Sequence, residues 1–391
     1  MTSSLSLWIE NTPPMPKGFT ANTLILEQRN LHEKAKASLK KVFTELSKGP
    51  QGLNSCEADF VRSPRTPIPQ DWTQIQIGAL DQAVFSWEKT NSVGADIQRD
   101  GNDTAHTNIY MLSSQFNSVE TTGRYPIRPG TAYEHYQNDR TQGPEVQIQF
   151  RPEQAEAINC AANEGLNGLV YVLNEKTQNA VEYGYFAPTG NQLDAVIKDL
   201  RDKHIEYLCV RSVPTRRSQK IHQFFGAAPH YSPLHSTPQD EEDKNYEIQF
   251  LTALHCYRAQ LHYALQVAEM DEKPIIVKIV ALGLGVFNNN PKAIAKAFYQ
   301  AGKEYEQQLK TNRVSVRLQL FQNGYNARGQ PTPAREMAQL LKLKEISPIS
   351  HTQGRTRSLN LRPLFLIITL ISAVTLYFFL SKLYGGRRSC L

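Results

Sequence analysis

Cysteine is scarce and unpaired in this 391-residue chain: Cys56, Cys160, Cys209, Cys256 and Cys390 are an odd number, lie far apart and form no C-x-x-C pair. Their spacing excludes a disulfide scaffold and a cysteine-based zinc site, and it points to reduced thiols in a cytosolic setting. Histidine supplies no alternative, because His222, His230, His235, His255 and His262 lack metal-ligand spacing. An excess of charge of one sign is also missing from the body. The formal net charge is +6, but Arg355, Arg357, Arg362, Lys382, Arg387 and Arg388 lie in a tail with no acid after Glu345, which leaves 37 basic against 37 acidic residues before it. No electrostatic argument for a nucleic-acid partner survives that subtraction. Met1 to Pro16 lacks the basic start and apolar run of a secretory signal. There is no internal repeat, and spacing alone assembles no Ser-His-Asp or Cys-His set.

One long apolar run is present. Leu364 to Leu380 carries no charge, and the apolar character continues through Leu383 and Tyr384 around Lys382. About 20 helical residues at ~1.5 Å each reach roughly 30 Å, the thickness of a bilayer core. The expectation is a single C-terminal membrane anchor over 361–384 with a basic tail at 385–391, leaving the body on the cytosolic side. Lys382 can snorkel to the interface. Cys390 stands too close to the end for a prenylation box.

Before that run the chain changes character twice. Residues 1–104 are polar and proline-punctuated, with one amphipathic helix expected from Thr23 to Leu46 and a linker or long loop from Ser47 to Gln70. From Asn108 the pattern becomes alternating. Strands are expected near Asn108–Phe116, Gly168–Leu173, Ala180–Phe186, Ile205–Val210, Ile221–Ala227, Ile275–Leu282 and Val314–Phe321. Helices are expected near Pro152–Glu164, Gln192–Lys203, Tyr246–Ala268 and Pro291–Leu309. Such alternation predicts an α/β protein, a three-layer α/β/α sandwich with a mixed sheet over 105–322. A polar linker over 323–360 follows, with room for a helix around Pro333–Leu341.

The most informative stretch runs from Pro274 to Phe298. Ile275 to Leu282 is an apolar, β-branched strand pattern, Gly283 and Gly285 break it, and Asn290-Pro291 starts a helix. Glycines there bare the backbone N–H groups, so a diphosphate above Gly283 to Phe287 would meet both a nest of amides and a helix N-terminus. The dinucleotide fingerprint G-x-G-x-x-G needs a third glycine, and position 288 is Asn. The unit also falls late in the folded region. An NAD-binding Rossmann-type enzyme therefore stays as one alternative, and an ordinary strand-to-helix connection as another.

With strand, turn and helix placed, Val280 to Phe298 resembles the late phosphate-binding loop of macrodomains, in which a G-x-G-x-[FYW] pattern follows a buried strand. Two further blocks strengthen the resemblance. Tyr110 to Glu120 is similar to the early macrodomain strand that ends in an Asn, and Tyr136 to Pro144 resembles the D-x-T-Q-G-P block of divergent bacterial proteins related to poly(ADP-ribose) glycohydrolases, among them effector ADP-ribosyl hydrolases of the MavL type. Phe224 to Pro229 is similar to a strand ending in small residues at the same cleft. The signature of standard glycohydrolases, a Gly-Gly-Gly run followed by paired Glu-Glu, is absent, so the resemblance does not extend to cleavage of the polymer.

The resemblance implies ADP-ribose as ligand or product, ADP-ribosylated protein as partner, no nucleic acid and no cofactor or metal. It implies Asn117, Thr141, Gln142 and Gly143 near the distal ribose, Gly283, Leu284, Gly285, Val286, Phe287 and Asn288 in the diphosphate loop, and the Phe287 ring near a ribose or base, with a core aromatic as its plainer reading. Breaking the bond at the anomeric carbon passes through an oxocarbenium-like state served by carboxylates, and Glu120 and Asp139 are the candidate catalytic pair. Each has a plainer reading, Glu120 as a solvated loop acid and Asp139 as a turn or capping residue. The acidic run Asp240 to Asp243 reads as a helix N-terminus whose charges match the dipole, with Asp240 or Asp243 in the cleft as the alternative. The alternative to hydrolysis is a non-catalytic ADP-ribose reader that recruits partners to a membrane.

Overall fold

The computed structural model describes residues 57–114, 181–182, 185–202, 205–212, 219–231, 238–285, 287–321, 324, 326 and 328–346. The chain divides into two compact units, 1–347 and 348–391, and the described residues all belong to the first. The expected strand at 168–173, the helices at 23–46 and 152–164 and the membrane anchor at 361–384 lie outside them.

Ten strands and five α-helices are described: β1 Glu57–Arg62, β2 Phe85–Thr90, α1 Val93–Asp100, β3 Thr107–Ser114, β4 Val181–Glu182, β5 Tyr185–Phe186, α2 Leu193–Asp202, β6 Glu206–Ser212, β7 Ile221–Ala227, α3 Gln239–Met270, β8 Ile275–Val280, α4 Pro291–Thr311, β9 Val314–Phe321, α5 Pro333–Leu340 and β10 Lys344–Ile346. Eight strands form one mixed sheet in the order β1-β6-β7-β3-β8-β9-β2-β10, while β4 and β5 make a separate hairpin. β6 is antiparallel to both its neighbours, and every other pairing in the sheet is parallel.

Residues in register share a face of a sheet, and successive residues alternate between faces. Phe85, Val316, Val277 and Ile109 form one such row, and Trp87, Leu318 and Ile279 the next. All seven are buried in the main core. This apolar face carries α2 to α5. Phe298 of α4 meets Phe85 edge-on at 5.9 Å between centroids and Tyr257 of α3 at 5.2 Å. At ~25 cal/mol per Å² of apolar surface removed from water, burying such rings stabilises the packing of the helices on this face.

The other face is polar although buried. Tyr110, Lys278 and Arg317 lie in one row, and Gln319 and Glu88 in the next. Helix α1 lies on this side: Asp100 accepts from the Tyr110 hydroxyl at 2.6 Å and pairs with Lys278 Nζ at 2.5 Å, and Asp96 accepts from Thr90 at 2.7 Å. Lys278 also pairs with Glu88 at 3.0 Å, whose second oxygen accepts from Arg317 at 3.1 Å. With α1 on this face and α2 to α5 on the other, the described residues form a mixed α/β fold whose sheet is mostly parallel, as expected.

Several boundaries differ from the expectation. The sheet recruits β1, β2 and β10 from outside 105–322, so the described parts of the expected extension and linker supply strands to it. The stretch expected to be a loop up to Gln70 contains β1 and then a strap pinned onto the helices. Arg258 is fully buried and donates to the carbonyls of Thr66 and Pro67 at 3.1 and 2.9 Å while gripping Glu304. Arg201 donates to the carbonyls of Pro69 and Gln70. Trp72 stacks on Phe250 at 5.6 Å. Helix α3 begins at Gln239, seven residues before the expected Tyr246, because Asp240, Glu241 and Glu242 occupy its first turn and favour the positive end of the dipole. The bland reading of that acidic run is the one the structure bears out.

At the amino-terminal end of β7, His222 bonds Tyr263 Oη at 2.8 Å. Burial, with Arg211 and Lys220 adding positive charge nearby, pushes its pKa down to about 3. The folded value lies below the ordinary one near 6.5, so the unfolded chain binds the proton that the folded chain refuses. Stability is therefore expected to fall as pH drops from 6.5 towards 3, by roughly 2 kcal/mol between pH 7 and 5 from this group alone. Denaturant melts of wild type and His222→Gln at the two pH values check this, and the wild-type slope should exceed that of the variant.

Candidate functional site

In a sheet of parallel strands, ligands collect outside the carboxyl ends where neighbouring strands send the chain to opposite sides. Here that point is β3 beside β8. The chain leaving β8 returns through α4 to β9 on one side, and among the described residues the next strand of this sheet after β3 is β6, on the other. The glycine turn after β8 stands at this crevice.

Its conformation explains its residues. Gly283 has φ +72°, and a Cβ there would lie 1.8 Å from Asn289 Nδ2 and 2.8 Å from Ala228 Cβ. Only glycine fits, for reasons of both backbone angle and space. Gly285 is different, since a Cβ there would meet nothing within 4 Å and its φ is not positive. Its bareness opens the approach without being needed by the turn. Asn288 has φ +52°, so it adopts the left-handed conformation open to a third glycine, which Asn tolerates. Asn289 N–H donates to Gly283 O at 3.1 Å and closes the loop at its neck. The N–H groups of Gly283 and Gly285 donate to no acceptor among the described residues.

The helix start departs from the expectation. Asn290 caps α4, its Oδ1 accepting from Lys292 and Ala293 N–H at 2.9 and 3.2 Å, and its own N–H donates to Gln249 Oε1 at 2.6 Å. These α4 amides are already satisfied, so the donors left for an anion belong to the turn rather than to the helix.

The neighbouring walls come from β5, β7 and α3. Ala228, just past β7, packs against Gly283, so the Phe224 to Pro229 block does meet the glycine turn. Phe287 is half-buried against the core margin and meets His230 edge-on at 5.6 Å, and its carbonyl accepts from Tyr231 N–H at 3.0 Å. His230 N–H in turn donates to Phe186 O at 2.8 Å. Burial lowers the His230 pKa below its ordinary value. Tyr231 packs on Tyr246 of α3.

Of the residues singled out from sequence, Gly283, Leu284, Gly285, Phe287 and Asn288 come together in this turn, with Leu284 buried beneath it. Glu120, Asp139, Asn117, Thr141, Gln142, Gly143 and Val286 lie outside the described residues. Asp240 and Asp243 are exposed on the first turns of α3, and Asp243 accepts from Gln239. Two features escaped the sequence. Asn289 is one of three consecutive asparagines, and nothing local distinguishes it. Ser63 and His255 bond at 2.8 Å, but His255 Nε2 sits 2.6 Å from Leu200 O and both residues are buried. That Nε2 is the donor, and the pair is a structural clamp. Among the described residues no group of three or more His, Cys, Asp or Glu could hold a metal ion, and no helix is long and apolar enough to cross a membrane.

No protein-family model matches the sequence, and no curated protein matches it significantly. Similar solved structures include the poly(ADP-ribose) glycohydrolase of Deinococcus radiodurans in complex with ADP-ribose, at 13% identity and a TM-score of 0.34 over 68% of this chain and 86% of that one. The apo form of the same enzyme gives 13% and 0.33 over 84% and 99%. The poly(ADP-ribose) glycohydrolase of Thermomonospora curvata gives 13% and 0.32 over 81% and 98%.

Proposed function

We propose that this chain is a divergent macrodomain-like protein that binds ADP-ribose and hydrolyses the glycosidic bond joining ADP-ribose to protein. The observation that carries the reading is the glycine turn: two bare glycines with unpaired amides, at the carboxyl end of β8, in the crevice where β3 and β8 part. A neutral cup of backbone donors at such a crevice suits a diphosphate. The sequence resemblance at Tyr110 to Glu120 and Tyr136 to Pro144 narrows the ligand to ADP-ribose.

In this proposal Gly283, Leu284, Gly285, Val286, Phe287 and Asn288 hold the diphosphate, with Phe287 beside a ribose or base. Asn117, Thr141, Gln142 and Gly143 hold the distal ribose. Glu120 and Asp139 supply the carboxylates, one to protonate the leaving group and one to activate water as positive charge develops at the anomeric carbon. The apolar run at 361–384 tethers the chain to a membrane with the body in the cytosol.

Turnover tests the proposal. The full-length chain is incubated with mono-ADP-ribosylated protein and release of the label is followed. Glu120→Ala and Asp139→Ala are expected to slow release by about 10²- to 10⁴-fold while ADP-ribose affinity changes far less. Binding of ADP-ribose without release by the wild type would leave a reader and sink the enzyme.

A further inference from the structure

The neck of the glycine loop holds an anomaly. Asn289 is 4% exposed, yet both its side-chain atoms, Nδ2 and Oδ1, lack a hydrogen-bond partner. Its Nδ2 lies against Gly283, 1.8 Å from the point a Cβ would occupy. A buried primary amide with neither atom paired is strongly unfavourable, and Asn289, unlike Asn108 and Gln319 whose side-chain atoms also lack partners, stands in the glycine turn where a bound group can complete it. The same loop presents the unpaired N–H groups of Gly283 and Gly285, while Asn290 and Gln249 have closed the helix start. Neighbouring α3 adds two more buried atoms without partners, Gln249 Nε2 and Thr252 Oγ1.

We propose that Asn289 is a ligand-binding residue of the cup, its Nδ2 donating to a diphosphate oxygen alongside the Gly283 and Gly285 amides. This rests on the ADP-ribose reading of the same turn. A phosphate oxygen enclosed by the loop accepts from several neutral donors at once, and Asn289 takes the part that the capped helix has given up. The three donors assigned here, the Gly283 and Gly285 amides and Asn289 Nδ2, are all neutral.

The test uses full-length wild type, Asn289→Leu and Asn289→Ala, titrated calorimetrically with ADP-ribose and with inorganic pyrophosphate and melted without ligand. Leucine keeps the volume and removes both polar atoms, so the empty N289L protein is expected to melt no lower than wild type, because an unpaired amide has been removed. Both variants are expected to bind ADP-ribose roughly 10- to 100-fold more weakly, the effect of losing one hydrogen bond to a charged group. Stability and affinity moving in these different directions is what a purely structural asparagine would not give. Unchanged affinity in both variants, or a lower melting point with unchanged affinity, overturns the role of Asn289 and leaves the proposed function standing. A wild type that binds pyrophosphate but not ADP-ribose overturns the proposed function, and Asn289 stands if its variants lose the pyrophosphate. A wild type that binds neither overturns both.

Discussion

Replacing Lys278 with methionine is expected to lower the melting temperature by about 10 °C or more, the consequence of a ~3–5 kcal/mol loss when one partner leaves a buried ionic network. Lys278 is 2% exposed and stands between Glu88 at 3.0 Å and Asp100 at 2.5 Å, with its Nζ 5.0 Å from the centre of the Tyr110 ring. Burial alone would raise the Asp100 pKa, but the Lys278 charge, its hydrogen bond and that of Tyr110 outweigh this and hold the carboxyl below its ordinary value. A depressed folded pKa contributes stability above the unfolded value near 3.9 and loses it as pH falls through the folded value. Methionine removes that contribution and leaves two carboxylates in a low-dielectric layer with fewer cations. The deficit should therefore be largest at neutral pH and shrink below pH ~4 as the carboxyls take up protons. Calorimetric melts at pH 7 and pH 4 measure this, and a melting point within 2 °C of wild type at pH 7 would show that the network carries no net stability.

The second large effect is expected at Gly283. Alanine there must adopt φ near +72° and place its methyl 1.8 Å from Asn289 Nδ2 and 2.8 Å from Ala228 Cβ. Neither neighbour retreats easily, because Asn289 is tied to Gly283 O through its own N–H and Ala228 follows directly on β7. The expected result is a loss of roughly 2–4 kcal/mol in stability together with loss of measurable ADP-ribose binding. Gly285→Ala separates the two effects. Its methyl meets nothing within 4 Å, so the empty protein should melt within 1–2 °C of wild type. Its affinity should still fall, since the methyl stands where the ligand would approach a bare amide. Equal affinities for wild type and Gly285→Ala would show that no ligand comes down onto the turn.

These two positions also show what sequence can and cannot carry. At Gly283 the reading was local: an apolar β-branched run, a glycine break and an Asn-Pro start lie within a few residues of each other. β7 at Ile221–Ala227 and β9 at Val314–Phe321 match their expected bounds for the same reason, as short apolar runs between polar breaks. Lys278 was invisible, because one lysine inside Ile275 to Leu282 looks like an interruption of an otherwise apolar strand. Its meaning depends on Glu88 and Asp100, and the neighbouring Arg317 to Glu88 bond spans 229 residues of sequence.

Local pattern in the chain was enough for the α/β class, the mixed sheet from Asn108 onward, and the strand, turn and helix that place the glycine turn. Period and turn chemistry are written within a turn or two of chain. Long-range packing sets the rest: β1, β2 and β10 join the sheet, Arg258 and Arg201 pin the strap past β1, and one face of the sheet is ionic. It also decided that the donors of α4 are closed by Asn290 while Asn289 stays unpaired. Each of those depends on which distant groups meet in a space closed to water, where an unpaired polar atom is costly and a paired one is not, and that condition exists only once the layers have packed.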